Sequence, residues 1–309
     1  MKKFCRFLLL LFTTVFAFSV NAKENMVKRD IIFNEKNGEI FVEEVGVDEL
    51  ENLFFSVKYE DYIFMPNMLY PAIFLKKLPH DFDQIEDDSY RNRLFIKLLA
   101  PVAIKVSEDL FKEREKMLTM KEDFEKKSLS QEQSAQLEKW AETYDIFTPL
   151  KDNLRTKYIF DELKKKLDII PPSMLIGAAA IESNWGTSRP AKEANSLYKE
   201  KLWYGQGKGL APEVEDYEED DDYEFKIFDS IYDAMMSYSI KINSGVDFYY
   251  MRSYRAEYRR RKRTISGRTL AHSMQFSSQL KNFAGLLDYT ITFYEMQNLD
   301  YAKLLRLPK

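Results

Sequence analysis

The chain has 309 residues, a formal net charge of −4 and a single cysteine, Cys5. An acidic chain is a poor ligand for nucleic acid, whose phosphates are bound by Lys and Arg, so we expect no nucleic-acid partner. Cys5 lies within the first 22 residues, so the rest of the chain has no disulfide and no thiol chemistry. His80 and His272 are the only histidines and show no metal-ligand spacing, so we expect no metal site and no cofactor.

Residues 1–22 have the pattern of a secretory signal peptide. Three positive charges within the first six residues precede an apolar run over 7–18, and the Val-Asn-Ala sequence at 20–22 resembles a cleavage site. The run is short for a membrane span, although a retained anchor is the alternative. Cleavage would leave residues 23–309 with a net charge of −7. We therefore expect a periplasmic or cell-envelope protein without a stable membrane span after cleavage.

Residues 23–150 predict a strand-like lead-in followed by a helical region. Residues 40–47 are rich in valine and partly alternate, which is typical of a short strand. Over 90–127 apolar residues recur at four-residue spacing, which predicts a helix that Pro101 kinks or divides. Residues 130–133 have the sequence of a capping box, Ser-x-x-Gln, and predict the start of a further helix.

Residues 151–309 predict a second unit that is also mainly helical. A helix near 154–167 ends before the Pro-Pro pair at 171–172, and a new helix starts there. Glycines, prolines and acids over 199–228 indicate loops around a β-hairpin. We therefore predict a mainly α fold of the α+β type. The later helices are predicted near 230–242, 252–263, 268–276 and 279–296.

Glu182 ends the most apolar stretch of this unit. Residues 174–181 are apolar apart from one glycine, so a helix over them would be buried on all sides. Glutamate is rarely buried without a partner. Desolvation and the negative end of the helix dipole both favour its neutral form, which is the form of a general acid. The alternative is a partly buried glutamate paired with an arginine.

The sequence around Glu182 resembles a known family. The segments Pro-Pro-Ser-Met-Leu at 171–175 and Ala-Ala-Ala-Ile-Glu-Ser-Asn-Trp-Gly-Thr-Ser at 178–188 are similar to the core motif of Bax-type proteins. These proteins belong to the bacterial β-N-acetylglucosaminidase family, which includes the flagellar peptidoglycan hydrolase domain. Weaker matches occur in the order of the family at 74–79, 98–101, 195–198, 209–210 and 223–230.

The resemblance implies a lysozyme-like helical domain over 151–309 with a β-hairpin beside the cleft. It also implies hydrolysis of β-1,4-linked glycan at N-acetylglucosamine, with Glu182 as the general acid and peptidoglycan glycan strands as the partner. The oligomeric state is not indicated. One alternative is a lytic transglycosylase on a similar fold. Another is a cell-wall glycan-binding protein whose turnover is weakened or lost.

The family places a supporting carboxylate on the hairpin. Glu224 is our candidate because it opens the predicted strand at 223–228. Glu213 and Glu215, on the preceding arm, are the alternatives. The acids of this segment do not have the spacing of an EF-hand calcium loop.

Five aromatic residues are candidates for substrate contacts. Trp185 follows Glu182 by three residues, and the resemblance implies that it helps to build the turn there. Tyr198, Trp203 and Tyr204 fall in a loop-like stretch, where exposed rings would stack on sugar faces. Core packing is the alternative for all four. Phe276 stands where the resemblance implies a tyrosine in the cleft, so the hydroxyl is missing, which motivates the binding-protein alternative.

Arginines cluster between 252 and 268. The simple interpretation is a solvated helix face that balances the acidic hairpin. The alternative is contact with the carboxylates of cell-wall stem peptides through charge-assisted hydrogen bonds.

Overall fold

The computed structural model describes most of the chain, and helices dominate it. The predicted signal peptide, Tyr204, Glu215 and Phe276 lie outside the described residues. The prediction of a mainly helical class with a small amount of β-structure is confirmed. The described residues are 31–34, 37–59, 68–203, 207, 209–213, 223–274 and 282–306.

Short strands and one helix come first in the chain. Strand β2 pairs antiparallel with β1 and parallel with β4. The strand predicted over 40–47 is confirmed in its first part only, because a helix starts at Val47. The elements are β1 (Ile31–Asn34), β2 (Glu39–Val42), α1 (Val47–Ser56), β3 (Leu69–Pro71) and β4 (Ile73–Leu75).

Helix α2 (Asp88–Lys126) is 39 residues long and continues through Pro101. The prediction that proline divides this element is therefore wrong. Proline lacks an N–H, so the carbonyl of Lys97, four residues earlier, loses its helical donor. The hydroxyl of Tyr59 donates to that carbonyl at 3.0 Å. A side chain from outside the helix thus replaces the missing hydrogen bond.

Four helices follow, and their starts agree with the sequence. Both hydrogen bonds of the predicted capping box between Ser130 and Gln133 are present. The Pro-Pro pair at 171–172 opens the next apolar helix, as predicted. The helices are α3 (Gln131–Thr143), α4 (Asp152–Lys166), α5 (Pro172–Glu182) and α6 (Arg189–Ala194).

The predicted β-hairpin is part of a three-stranded antiparallel sheet. Strand β7 is central, between β5 and β6. Tyr223 and Phe225 alternate inward along β7 and are buried, which matches the alternation in the sequence. The strands are β5 (Lys201–Trp203), β6 (Gly209–Leu210) and β7 (Tyr223–Lys226).

The last part of the described chain is helical and ends in a strand. Ser230 caps the helix that follows the sheet, which starts where a helix is predicted near 230–242. Strand β8 (Lys303–Leu305) pairs in parallel with β3, so the end of the chain returns to the N-terminal region. The helices are α7 (Ile231–Ser244), α8 (Tyr249–Arg260), α9 (Gly267–Ala271) and α10 (Phe283–Phe293), with short 3₁₀ segments at Val246–Phe248, His272–Met274 and Met296–Tyr301.

Helix α5 lies at the centre of the core, and all of its residues from 172 to 180 are buried. It packs against α2, α9 and α10. A Cβ atom on Gly177 would lie 2.8 Å from Leu287 Cδ1 of α10, so the glycine permits the close approach. One apolar cluster extends from Ile40 to Leu304. The predicted boundary at 150 therefore does not separate two cores. Within the described residues, every helix is too short or too polar to cross a bilayer.

The arginine cluster divides into a buried part and a solvated part. The exposed members, as the simple interpretation expects, are Arg260, Arg261, Lys262, Arg263 and Arg268. Arg252 and Arg255 are buried, and both donate to backbone carbonyls at the ends of helices. Asp168 is buried beside them and accepts from Arg259 at 2.7 Å. Burial alone would raise the pKa of Asp168, but the nearby guanidinium groups, Arg255 foremost, hold it below its usual range. The buried arginines are thus engaged inside the protein, and a contact with stem peptides would depend on the exposed members at 260–263 and 268.

Candidate active site

Glu182 is the last residue of α5, and its side chain is half-buried. The chain then turns sharply: Asn184 and Trp185 have φ angles of 50° and 56°, and Gly186 has 80°. Residues other than glycine seldom adopt this left-handed region. Such conformations cost free energy and persist where the surrounding structure enforces them, often at functional sites. The candidate acid is therefore held at the start of a constrained turn.

Buried hydrogen bonds hold this turn in place. Ser183, which is fully buried, donates from Oγ to the carbonyl of Ala179 at 2.6 Å and accepts from the Gly186 N–H at 2.8 Å. The Trp185 N–H donates to the carbonyl of Ala180 at 2.7 Å. The Ala179 carbonyl also accepts from the Ser183 N–H, whereas the Ala180 carbonyl has no helical donor, and the turn supplies one from Trp185.

Only glycine fits at position 186. A Cβ atom there would lie 2.8 Å from Leu78 Cδ1 and 2.9 Å from Phe95 Cε2, in addition to the strain of a positive φ. Leu78 and Phe95 both belong to the N-terminal region. That region therefore packs directly under the turn that follows Glu182.

The other end of α5 is anchored by Asp300. Its carboxylate accepts from the Ser173 N–H at 2.9 Å, from the Ser173 Oγ at 2.8 Å and from the Gly267 N–H at 2.8 Å. These donors lie in the first turns of α5 and α9, where unpaired N–H groups favour an anion. Both ends of the helix that carries Glu182 are thus secured by hydrogen bonds.

Two stacked tyrosines lie near Glu182. The rings of Tyr198 and Tyr238 are parallel within 6°, with centroids 3.9 Å apart. Burial raises the pKa of Tyr238, and the negative charges of Glu182 and Glu200 raise it further. Both carboxylates are therefore close enough to Tyr238 to interact with its hydroxyl electrostatically.

Glu200 is a second buried acid in this region, and sequence reasoning missed it. It is 8% exposed, and one carboxylate oxygen accepts from Ser237 Oγ at 3.1 Å. The other oxygen, Oε1, has no hydrogen-bond partner among the described residues. Burial raises the pKa of Glu200 above its ordinary value. Glu200 stands between Lys199 and Lys201, a context typical of a solvated loop, so the sequence offers no signal of its burial.

The hairpin acids have separate contacts. Glu224 is half-buried on β7, and its Oε2 accepts from the Gly209 N–H of β6 at 2.5 Å. Glu213 is exposed and pairs with Arg189 at 2.8 Å. The contact of Glu224 orients its side chain within the sheet. Its role as second carboxylate stays a prediction.

The candidate aromatic residues differ in how exposed their rings are. Trp203 is 47% exposed on β5, so its ring is accessible to a ligand. Trp185 is half-buried, in edge contact with Phe95 at 5.9 Å and with Tyr294 at 4.8 Å between centroids. It helps to build the turn, as the resemblance implied.

Tyr198, by contrast, packs in the core. Its side chain is buried, its ring is covered by Tyr238, and its hydroxyl donates to the carbonyl of Leu175 at 3.1 Å. A ring that is stacked inside the core does not present that face to a sugar. The structure therefore favours the core alternative for Tyr198, and it describes neither Tyr204 nor Phe276.

The titratable groups close to the end of α5 include the carboxyl groups of Glu182 and Glu200 and the hydroxyl of Tyr238. Carboxylic acids give up and accept protons at moderate pH, so these side chains suit general acid–base chemistry. Within the described ranges, no three His, Cys, Asp or Glu side chains are grouped so that they could hold a metal ion.

Comparisons with known proteins agree with the sequence motif. Residues 157–303 match the family model named Glucosaminidase, described as mannosyl-glycoprotein endo-beta-N-acetylglucosaminidase. Protein bax from Escherichia coli (strain K12) is 26% identical over 132 residues, which are 42% of this chain and 45% of that protein. The match thus spans less than half of the relative.

Among solved structures, the catalytic domain of the autolysin Auto from Listeria monocytogenes is similar at 19% identity and a TM-score of 0.33. The likeness covers 55% of this chain and 98% of that domain. The family match and the curated relative confirm the resemblance seen in the sequence: residues 157–303 match the Glucosaminidase family model, and the chain is similar to a Bax protein over part of its length.

Proposed function

We propose that this protein is a glycoside hydrolase that cleaves β-1,4 bonds at N-acetylglucosamine in peptidoglycan, with Glu182 as the general acid. One observation carries the proposal. Within the segment that matches the Glucosaminidase family, Glu182 ends a fully buried helix at a constrained turn and is itself only half-buried. A carboxylic acid in such a position can keep its proton and still reach a substrate.

The chemistry requires two contributions. An acid protonates the departing sugar oxygen, while a negative or nucleophilic group stabilises the charge that develops on the ring. Glu182 supplies the proton in our proposal. Glu224 is the proposed second carboxylate, and the acetamido group of the substrate is the alternative. Water then attacks the anomeric carbon.

The proposed substrate determines where in the cell the enzyme acts. Peptidoglycan lies outside the cytoplasmic membrane, so the proposed enzyme acts in the periplasm or cell envelope. The signal-peptide pattern of residues 1–22 supports export to that place.

Digestion of purified peptidoglycan followed by mass spectrometry tests the proposal. We expect the wild-type protein to release glycan fragments and Glu182→Gln to lose about a thousandfold in rate, the scale of a general acid. Glu142→Gln is the matched control, because Glu142 is exposed on α3 outside the family segment. The proposal fails if the wild type releases nothing, or if Glu182→Gln is as active as the control.

The ends of the products identify the bond and the reaction. A reducing N-acetylglucosamine end is the expected result for a glucosaminidase. An anhydro-muramyl end would instead assign the chain as a lytic transglycosylase. The Trp-Gly sequence at 185–186, after the acid, favours the glucosaminidase. A wild type that binds glycan strands without shortening them would support the binding-protein alternative.

A further inference from the structure

Two large aromatic side chains are exposed on α10. Tyr289 and Phe293 are one helical turn apart and are 61% and 62% exposed. Their rings stack with an interplanar angle of 25° and centroids 5.5 Å apart. Together they form a surface that we call the aromatic platform.

Core packing does not explain the aromatic platform. The inward face of the same helix is formed by Leu287 and Ile291, which are fully buried against α5. Tyr289 and Phe293 lie on the opposite, solvent-exposed side. Contiguous exposed apolar surface of this kind marks interaction sites in soluble proteins. The platform therefore suits a ligand that comes from outside the core.

Ring contacts connect the platform to the candidate active site. Phe293 is in edge contact with Tyr294 at 4.9 Å between centroids, and Tyr294 is in edge contact with Trp185 at 4.8 Å. The hydroxyl of Tyr294 is held by a hydrogen bond from Asn92 Nδ2 at 2.9 Å. Trp185 is three residues after Glu182. A continuous row of four rings thus runs from the turn at Glu182 to the surface of α10.

We propose that the aromatic platform binds a glycan strand beyond the bond that Glu182 cleaves, by stacking sugar rings on Tyr289 and Phe293. A pyranose ring presents an apolar face of C–H groups, which packs on an aromatic ring while the hydroxyls stay in water. The backbone of a β-1,4-linked N-acetylhexosamine chain is long and extended. The steps between neighbouring rings from Trp185 to Tyr289 are only 4.8 to 5.5 Å each, so a strand of a few extended sugar units is long enough to reach the platform from Trp185. This inference rests on the proposed function.

A second exposed pair provides the matched control. Tyr249 and Tyr250 on α8 are 63% and 65% exposed and are also in ring contact. Their exposure and chemistry are similar to those of the platform, but they are not members of the row of rings that reaches Trp185. If any exposed aromatic pair bound glycan nonspecifically, substituting either pair would weaken binding equally. If the platform is a specific glycan site, only the platform substitutions weaken binding.

Binding is measured with the soluble β-1,4 tetramer of N-acetylglucosamine by titration calorimetry, in the full chain carrying Glu182→Gln so that the ligand is not consumed. We expect Tyr289→Ala with Phe293→Ala to weaken binding about tenfold or more, the scale of one or two lost aromatic contacts. Tyr249→Ala with Tyr250→Ala should leave the affinity unchanged. Thermal melting checks that each variant is folded, which we expect because all four side chains are exposed.

Three results would overturn the inference. They are equal affinity of the platform variant and its parent, equal losses of affinity in both pairs, and the absence of tetramer binding by the parent.

Sedimentation of the same proteins tests a different occupant: a dimer that only the platform substitutions dissociate would assign the surface to a second copy of the chain. The proposed function fails separately, if the wild type releases no fragments from peptidoglycan. If the wild type cleaves but the platform variant binds normally, only this inference fails.

Discussion

The ring of Tyr198 lies flat on the ring of Tyr238, with 6° between the planes and 3.9 Å between the centroids. Tyr238 is on α7, and Tyr198 lies in the segment between α6 and the sheet. The hydroxyl of Tyr198 also donates to the carbonyl of Leu175 in α5. One side chain therefore joins α7, the approach to the sheet and the helix that ends at Glu182.

Two substitutions of Tyr198 separate the contribution of its stacked ring from that of its hydrogen bond to Leu175. Tyr198→Phe keeps the stacking and removes only the hydrogen bond to Leu175, so the free energy of unfolding should fall by about 1 kcal/mol. Tyr198→Ala also opens a cavity beside Tyr238 and should cost about 3–5 kcal/mol. Urea unfolding of both variants measures the difference. Equal losses for the two variants would mean that the stacked ring contributes little.

Gly186→Ala should destabilise the protein by about 2–4 kcal/mol, because the new methyl group overlaps Leu78 and Phe95 and the backbone is strained. Gly207→Ala is the control. Gly207 also has a positive φ, but among the described residues its Cβ would meet nothing closer than Leu202 Cδ2 at 3.6 Å. We expect a loss of about 1 kcal/mol there, from the backbone alone. Thermal unfolding measures the loss of stability of each variant. Equal losses for Gly186→Ala and Gly207→Ala would contradict the steric explanation for position 186.

Glu200→Gln should stabilise the protein at neutral pH, and the gain should shrink as the solution is acidified. Burial raises the pKa of Glu200, so the folded protein binds this proton more tightly than the unfolded chain does. The free energy of unfolding is therefore highest below the ordinary pKa of glutamate and falls as the pH rises toward the folded pKa. Glutamine removes that loss. Denaturation of both proteins across pH 4 to pH 8, in steps of about one unit, measures the trend.

If the difference between wild type and Glu200→Gln were independent of pH, the pKa of Glu200 would be the same in the folded protein as in the unfolded chain, and the carboxyl would be charged in the folded state at neutral pH. Its buried oxygen would then need a partner that the described residues do not supply. Ser237→Ala gives a matched comparison, because it removes the hydroxyl bonded to Glu200 and leaves the carboxyl in place.

Glu224→Gln should lower kcat on peptidoglycan about a hundredfold if Glu224 is the second carboxylate, with a smaller change in KM. Glu213→Gln should change the rate by less than about twofold, since its carboxylate is exposed and paired with Arg189. Release of soluble fragments gives the rates. The reverse order of effects would assign the role to Glu213, and two normal rates would favour the acetamido group of the substrate.

Local patterns in the sequence predicted much of the fold. The four-residue spacing over 90–127, the capping box at 130–133 and the alternation along β7 each depend on neighbouring residues, and each appears as predicted. At Pro101 the local pattern was misleading, because the helix is not divided there. Its helix continues because Tyr59, which is distant in sequence, donates to Lys97. A contact of that kind leaves no trace in the local pattern.

In the candidate site, too, features that depend on neighbouring residues were predictable, and features that depend on distant contacts were not. The apolar run before Glu182 is local, and it predicted the buried helix that ends there. The burial of Glu200 arises from packing against Ser237 on α7, so its two lysine neighbours in the sequence are misleading. Arg252 and Arg255 were also interpreted from composition alone. Their burial depends on carbonyls at helix ends that only the folded chain brings close.

The pairing of β3 with β8 has a practical consequence for recombinant work. The family match stops at residue 303, the first residue of β8, while the partner strand at 69–71 lies far upstream. A fragment cut to the limits of the match would lose β3 and also residues 304 and 305 of β8, and with them the ladder that joins the two ends of the described chain. Leu78 and Phe95 would be lost as well, together with the support beneath Gly186. Expression trials should therefore begin upstream of 69 and continue past 305.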